Sequence, residues 1–392
     1  MKLRTMNDMP NVSGKNILLR CDFNIKVVDG KLNDTFRIEQ SLPTIKKLIA
    51  DGARVTITAH LNRPEGRDPK ETLRPSAVAL EQLLGRPVKF IDDALERGYL
   101  ADMKDGEVAI LENVRYYKEE EKNDAEFAKK LAVGFDFYIN DAFSNSHRAH
   151  ASMQAIAKIL PSYAGLLLAY EVETLQRLMT DPARPAVAVI GSSKLSSKID
   201  VIRALCILCD KVIIGGALGT TFNIVFGARH INDMLYKPEY DEIVKSLSAE
   251  FGDKLVFGID KGVGKEFAQA AARTDKDLAD ILPDDIIMDE GPKSVEKFNE
   301  IIDGAKTVIY NGTVGMAEWG DVWGRATFDL LRHIAKRTEE GKLESIIGGG
   351  DGAGSTDKLG LTKKMTYVST GGGAFLEFIE GKTLPAVVAL IS

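Results

Sequence analysis

The chain has 392 residues, is 44% hydrophobic and 28% charged, and carries a formal net charge of −6. That length suits two or three domains with sizeable cores. The acidic balance argues against general nucleic-acid binding but leaves room for a local basic pocket. Strand-like and helical runs then alternate along the chain. Apolar runs at 17–23, 55–60, 108–113 and 135–140 read as a first set of strands. A second set falls at 186–191, 211–216, 255–259, 307–312, 345–350 and 366–370. Their near-continuous apolar character predicts parallel strands covered on both faces. Helical patterns lie between them, at 42–52, 75–85, 124–134, 293–304 and 325–337, and several end in glycine or run into one. The expected class is α/β, with two doubly wound, Rossmann-like parallel-sheet domains. A long helix followed by a proline-bracketed turn, within 161–185, reads as the connector between them. The acidic run KEEEKNDAE (118–126) reads as a solvated face opening a helix.

Three features close off other readings. Cys21, Cys206 and Cys209 give no disulfide framework and suit a reducing, cytoplasmic compartment. The C-x-x-C formed by Cys206 and Cys209 sits late in an apolar helix without a second ligand pair, so buried thiols are expected. The amino terminus lacks the apolar stretch of a signal peptide, and the uncharged run 212–228 is too rich in glycine for a membrane span.

Ligands of open α/β sheets bind at the carboxyl ends of strands. In the first half those ends carry Asp22, Asn24, His60, Arg63, Asn113, Arg115, Asn140, Asp141, His147 and Arg148, with Arg37 shortly after the first strand. Arginine forks match phosphate and carboxylate oxygens in pairs, so this set predicts a site for a highly anionic small molecule. In the second half the ends are glycines: Gly191, Gly215, Gly216, Gly312, 348–350 and 371–373. Glycines admit phosphate close to backbone N–H groups and helix N-termini. Among them stand Lys194, Lys198, Asn311, Glu318 and Asp351. Asp351 either caps the next helix or holds Mg²⁺ against nucleotide phosphates. The segment GGGDGA loosely matches a dinucleotide fingerprint, but the following strand ends in Ser369 and Thr370 rather than in an acid, which disfavours a dehydrogenase. An anion site in one domain and a nucleotide site in the other point to phosphoryl transfer.

The motifs LLRCDFN, AHLNRP, ILENVRYY, NDAFSNSHRAHAS, IYNGTVGMAEW, IIGGGD and STGGGAFLE, in this order, resemble phosphoglycerate kinases along the whole chain. The resemblance implies reversible, Mg²⁺-dependent transfer of a phosphoryl group from 1,3-bisphosphoglycerate to ADP. It implies a phosphoglycerate-binding domain at 1–165, a connecting hinge helix at 166–185, a nucleotide-binding domain at 186–375, and a segment, 376–392, returning to the first domain. Asp22, Asn24, Arg37, His60, Leu61, Asn62, Arg63, Arg115 and Arg148 would bind phosphoglycerate. Lys194, Lys198, Gly215, Gly216, Gly291, Asn311, Glu318, Gly349, Gly350, Asp351 and Gly352 would bind the nucleotide, with Glu318 on the ribose and Asp351 on the metal. Arg37, Lys194 and Gly350 would act on the phosphoryl group in transfer. The partners implied are small molecules only, with neither nucleic acid nor membrane, and the chain would be a monomer.

Four positions depart from the family pattern. Ser197 stands where the family usually has aspartate, Asn62 where it has glycine, Thr313 where it has proline, and Gly352 where it has threonine or serine. They motivate a second reading: a catalytically weak relative that binds nucleotide or phosphoglycerate as a sensor or scaffold.

Overall fold

A computed structural model gives the fold and describes residues 2–228, 231, 233 and 235–391. The chain divides into two units, Met1–Gln176 with Lys382–Ser392, and Arg177–Gly381.

Unit 1 holds β1 (Asn16–Arg20), a short antiparallel ribbon of β2 (Val27–Val28) and β3 (Lys31–Leu32), then β4 (Arg54–Thr58), β5 (Val88–Ile91), β6 (Val108–Leu111), β7 (Phe137–Asn140) and β8 (Ser162–Ala164). The main sheet runs β5-β6-β4-β1-β7-β8, all parallel. Ile17, Leu18 and Leu19 of β1 are fully buried, as a central strand covered on both faces requires. The helices are α1 (Phe36–Ala50), α2 (Arg74–Leu84), α3 (Lys118–Glu121) and α4 (Ala125–Ala132). Helix α2 stops at Gly85, whose φ of 64° takes the left-handed C-cap position. Asp124 caps α4 by accepting from the Phe127 amide at 2.7 Å.

Helix α5 (Leu166–Thr180) contains the boundary between the units. Its first-turn amides at Leu167 and Leu168 donate to Asp141 Oδ1, at 2.9 and 3.3 Å. Asp141 is fully buried, and burial pushes its carboxyl up to about 7, with nearby Glu171 adding to the rise. The sign is definite: the folded state holds a proton on this group that the unfolded chain, near 3.8, has released. Its contribution to stability is therefore lost as pH rises from about 4 through about 7. Asp141→Asn keeps the carbonyl acceptor and removes the ionisation, so it is expected to flatten this decline. Urea unfolding at pH 5 and pH 8 checks it; equal pH slopes for the two proteins would sink it.

Unit 2 holds β9 (Ala186–Gly191), β10 (Lys211–Gly215), β11 (Leu255–Phe257), β12 (Asp260–Gly264), β13 (Thr274–Asp277), β14 (Ile286–Glu290), β15 (Thr307–Asn311), β16 (Glu344–Gly348) and β17 (Tyr367–Val368). Its parallel sheet runs β11-β10-β9-β15-β16-β17. Counted within the sheet this is the 3-2-1-4-5-6 order of a doubly wound fold, whose switch point lies between β9 and β15. A second, antiparallel sheet, β13-β12-β14, packs no long apolar run: its strands read DKGVG, TDKD and IIMDE. The helices are α6 (Ile199–Leu208), α7 (Gly216–Val225), α8 (Tyr240–Phe251), α9 (Pro292–Asp303), α10 (Arg325–Glu339), α11 (Gly350–Lys358) and α12 (Gly372–Ile379). Cys206 and Cys209 are buried free thiols, pushed up to about 12 chiefly by burial.

The last segment belongs to unit 1 and carries α13 (Pro385–Val388). Leu3 bridges to Ile391, and the Ala386 amide donates to Ser146 O at 3.1 Å, two residues before Arg148. Among the described residues, no helix is long and apolar enough to cross a membrane.

Candidate active site

In unit 1 the residues singled out from sequence gather at the carboxyl ends of β1, β4, β6 and β7. Asp22 follows β1, is buried, and accepts from Arg37 of α1, from the Ser144 hydroxyl and, at 3.1 Å, from the Asn24 amide. Burial alone would raise its carboxyl, but Arg37, Ser144 and Asn24 together hold it below the usual range. After β4, Asn113 pins the loop by accepting from the Leu61 amide at 3.2 Å and donating to Leu61 O at 2.8 Å. The Asn62 amide donates to Asn24 Oδ1 at 2.9 Å, and Asn62 O accepts from Arg115 at 2.5 Å. Arg115 is buried, and its guanidinium is lowered to about 10 by burial and by Arg148. Arg148 is lowered by burial and then by Arg63, which is itself exposed. His60 is fully buried and held well below its ordinary value by burial and by Arg20, Arg115 and Arg148.

Two acids come from the run expected to be a solvated face; Lys118, Glu119, Glu121, Lys122 and Glu126 are exposed as expected, and Glu120 is the exception. Glu120 is fully buried and accepts from the Ser152 amide at 2.8 Å and its hydroxyl at 2.6 Å. Glu121 reaches Arg115 at 3.3 Å. Glu120 turns inward from this exposed run because a buried cluster of arginines needs counter-charges.

In unit 2 a cavity of about 780 Å³ opens at the carboxyl ends of the parallel strands, at the switch point. Gly216, Gly350 and Gly372 line it, so the N-termini of α7, α11 and α12 all border it. Such termini bring partial positive charge to anions, and the first α7 amide is already held by Glu290 at 2.9 Å. At the switch point two backbones meet closely: a side chain at Gly191 would strike Thr313 O, and one at Gly312 would strike Gly191 O. Lys198, half-buried just before α6, lines the cavity with Asn311, Glu318, Gly349 and Asp351. Burial lowers the Lys198 ammonium, while Glu380 and Asp351 pull it back up.

Four residues assigned to the nucleotide from sequence do not line this cavity. Lys194 is exposed on the 192–198 turn, which precedes α6 rather than forming part of it. Gly215 packs against Val314, and Gly352 is buried within α11 against Gly312. Gly291 caps α9 beside Asp260, whose carboxylate takes the Lys293 and Ser294 amides at 3.0 and 2.7 Å. In its place, Ile286, Ile287 and Met288 of β14 line the cavity with Phe267 and Met316. The β14 part of this wall carries no strong pattern in the sequence, and Phe267 and Met316 come from loops outside the strands.

A family model described as phosphoglycerate kinase matches residues 6–382. The chain belongs to the phosphoglycerate kinase family. It is 41% identical over 395 residues to the phosphoglycerate kinase of Chelativorans sp. (strain BNC1), covering 99% of this chain and 98% of that protein. It is 40% identical over 397 residues to that of Rhizobium meliloti (strain 1021), covering 100% and 99%. Among solved structures, phosphoglycerate kinase from Coxiella burnetii matches with a TM-score of 0.86 at 35% identity, covering 99% of each chain. The enzyme from Pyrococcus horikoshii OT3 matches with a TM-score of 0.86 at 30% identity, covering 99% of this chain and 98% of that one. The chain is thus a kinase, a phosphotransferase with a carboxyl group as acceptor, and the comparisons lend nothing to the sensor or scaffold reading.

Within a phosphoglycerate kinase, three of the four departures acquire local explanations. Asn62 has φ 50°, in the left-handed region where glycine is free and asparagine is the best-tolerated alternative. Its side chain donates to Glu71 at 2.7 Å, a bond glycine cannot make. Asn62→Gly is therefore expected to leave the KM for 3-phosphoglycerate within about threefold, whereas Asn62→Val is expected to cost about 1–2 kcal/mol of stability. Steady-state kinetics and urea unfolding check both; a tolerated valine would refute the conformational argument. At 352 a Cβ would lie 3.2 Å from Gly312 O, so glycine relaxes that approach. Thr313 lines the cavity. The Ser197 hydroxyl donates to Lys194 O at 3.1 Å and closes the turn without a charge.

Proposed function

We propose that the unit 1 cluster binds phosphoglycerate and the unit 2 cavity binds the adenine nucleotide, in the reversible transfer between 1,3-bisphosphoglycerate and ADP. The observation that carries this reading is the cavity, where three helix N-termini, Lys198 and Asp351 border one space beside an apolar wall. Phosphates suit the amide-rich side and a base suits the wall. In unit 1, Arg37, Arg63, Arg115, Arg148 and His60 supply donors for a phosphate and a carboxylate.

The reaction breaks the bond from phosphorus to the acyl oxygen and forms one to the terminal oxygen of ADP. The leaving group is a carboxylate, whose conjugate acid has a pKa of about 3.5, so no general acid is needed. The work left to the side chains is positioning and charge neutralisation. Arg37, Lys194 and the Gly350 amide are assigned to the phosphoryl group in transfer. Among the described residues, no set of three or more His, Cys, Asp or Glu could hold a metal ion by itself. A Mg²⁺ ion held by the Asp351 carboxylate and by nucleotide phosphates fits that donor set. When bound, it would neutralise phosphate charge. The reading further includes small-molecule partners only, a monomer, and a cytoplasmic setting.

The test is a coupled assay of purified protein for ATP formation from 1,3-bisphosphoglycerate and ADP, with and without Mg²⁺. Mg²⁺-dependent ATP formation is expected, and its absence would end the proposal. Asp351→Asn should raise the Mg²⁺ concentration required, and an unchanged requirement would remove Asp351 from the metal.

A further inference from the structure

Beneath the unit 1 cluster lies an arginine that the motifs did not single out as functional. Arg20, the last residue of β1, is 1% exposed. Its Nε donates to Ser152 Oγ at 3.0 Å, its Nη1 to Cys21 O, and its Nη2 lies 3.1 Å from His60 Nδ1. A guanidinium has donors only. His60 Nδ1 must therefore present a lone pair, and the proton of the neutral ring must sit on Nε2. Ser152 is fixed in turn by both oxygens of Glu120. The charge of Glu120 offsets that of Arg20, so the guanidinium can stay buried. His60 Nε2 is buried and has no partner among the described residues.

We propose that Arg20, held by Ser152 and Glu120, is a positioning residue that locks His60 as the neutral Nε2–H tautomer, so that His60 meets the anionic substrate as a hydrogen-bond donor. The inference rests on the reading that this cluster binds phosphoglycerate. The opposite tautomer would turn a lone pair towards an anion at Nε2. A protonated ring would add a further cation beside Arg20, Arg115 and Arg148 and would face the Arg20 donor with a second donor. The arrangement supplies one directed bond to the substrate without either cost.

Long-range ¹H–¹⁵N spectra of the ¹⁵N-labelled wild-type chain test this directly. The His60 signals are assigned by their loss in His60→Gln. The expected result is an Nε2–H pattern that does not titrate from about pH 5 to 8, and an Nε2 resonance that moves when 3-phosphoglycerate is added. A proton on Nδ1, or titration to imidazolium in that range, overturns the proposal. If 3-phosphoglycerate shifts other unit 1 signals but not His60, the donor role fails while the binding reading stands. If it shifts no unit 1 signal, the binding reading itself fails, and the donor role with it. Arg20→Met is expected to lose the single-tautomer pattern and to raise the KM for 3-phosphoglycerate more than it lowers kcat. A single Nε2–H tautomer surviving in Arg20→Met removes Arg20 from the role. The wild-type spectra decide the tautomer even where the variant does not fold.

Discussion

Replacing Lys194 with alanine is expected to lower kcat about 100- to 1,000-fold while moving the nucleotide KM by less than about threefold. Lys198→Ala should behave the other way, raising the nucleotide KM well above its effect on kcat. The contrast follows from where the two lysines stand. Lys198 is half-buried, lines the cavity and feels the charge of Asp351, so under the proposed reading it belongs to the bound ground state. Lys194 is exposed on the turn outside the lining, where its backbone is held by Ser192 and Ser197. A side chain placed there adds little to ground-state nucleotide binding. On the proposed assignment its ammonium acts where charge develops during transfer, and binding energy realised only in the transition state appears in kcat. Steady-state kinetics with nucleotide varied at saturating phosphoglycerate separate the two. Equal losses in kcat and KM for Lys194→Ala would sink the assignment.

The sequence made legible what depends on repeating patterns. Each of the ten apolar runs became a strand of a parallel sheet, because strands buried on both faces are filled mainly with apolar residues. The strand-end rule also found most of the charged groups of unit 1 and the glycines at the unit 2 switch point. What stayed hidden has physical reasons. The short strands β5 and β8 and the antiparallel sheet β12–β14 carry little apolar periodicity, so the apolar wall from Ile286 to Met288 had no signal. Glu120 looked like one member of an exposed acidic run, because a sequence does not reveal that Ser152 and Arg20 fold over it. The family resemblance places Gly291 with the nucleotide, whereas its backbone serves as the N-cap of α9 and does not line the cavity. Linear spacing locates a glycine, but which groups approach it is a tertiary fact.

The same hidden sheet carries a fully buried ion pair beside the cavity, and breaking it is expected to cost unit 2 about 3–5 kcal/mol. Lys261 Nζ lies 2.7 and 2.8 Å from the two oxygens of Glu290, and both side chains are fully buried. Glu290 also accepts from the Gly216 amide at 2.9 Å, so the pair ties β12 and β14 to the start of α7 at the cavity. Burial pushes the Glu290 carboxyl up, and Lys261 is the chief influence pulling it back down. Lys261→Met removes that influence and leaves a carboxylate with no cation in a dry interior. The double variant Lys261→Met with Glu290→Gln removes both charges yet keeps an acceptor for Gly216, so it should recover most of the loss. The variant with Lys261→Met alone should also lose stability as pH rises, since its Glu290 is protonated in the folded state at pH values where the unfolded chain has released the proton. Both tryptophans, Trp319 and Trp323, lie in unit 2, so their fluorescence during urea unfolding reports this unit alone. A midpoint unmoved by Lys261→Met, or a double variant no more stable than the single one, would show that the pair does not secure the β12–β14 sheet against the start of α7.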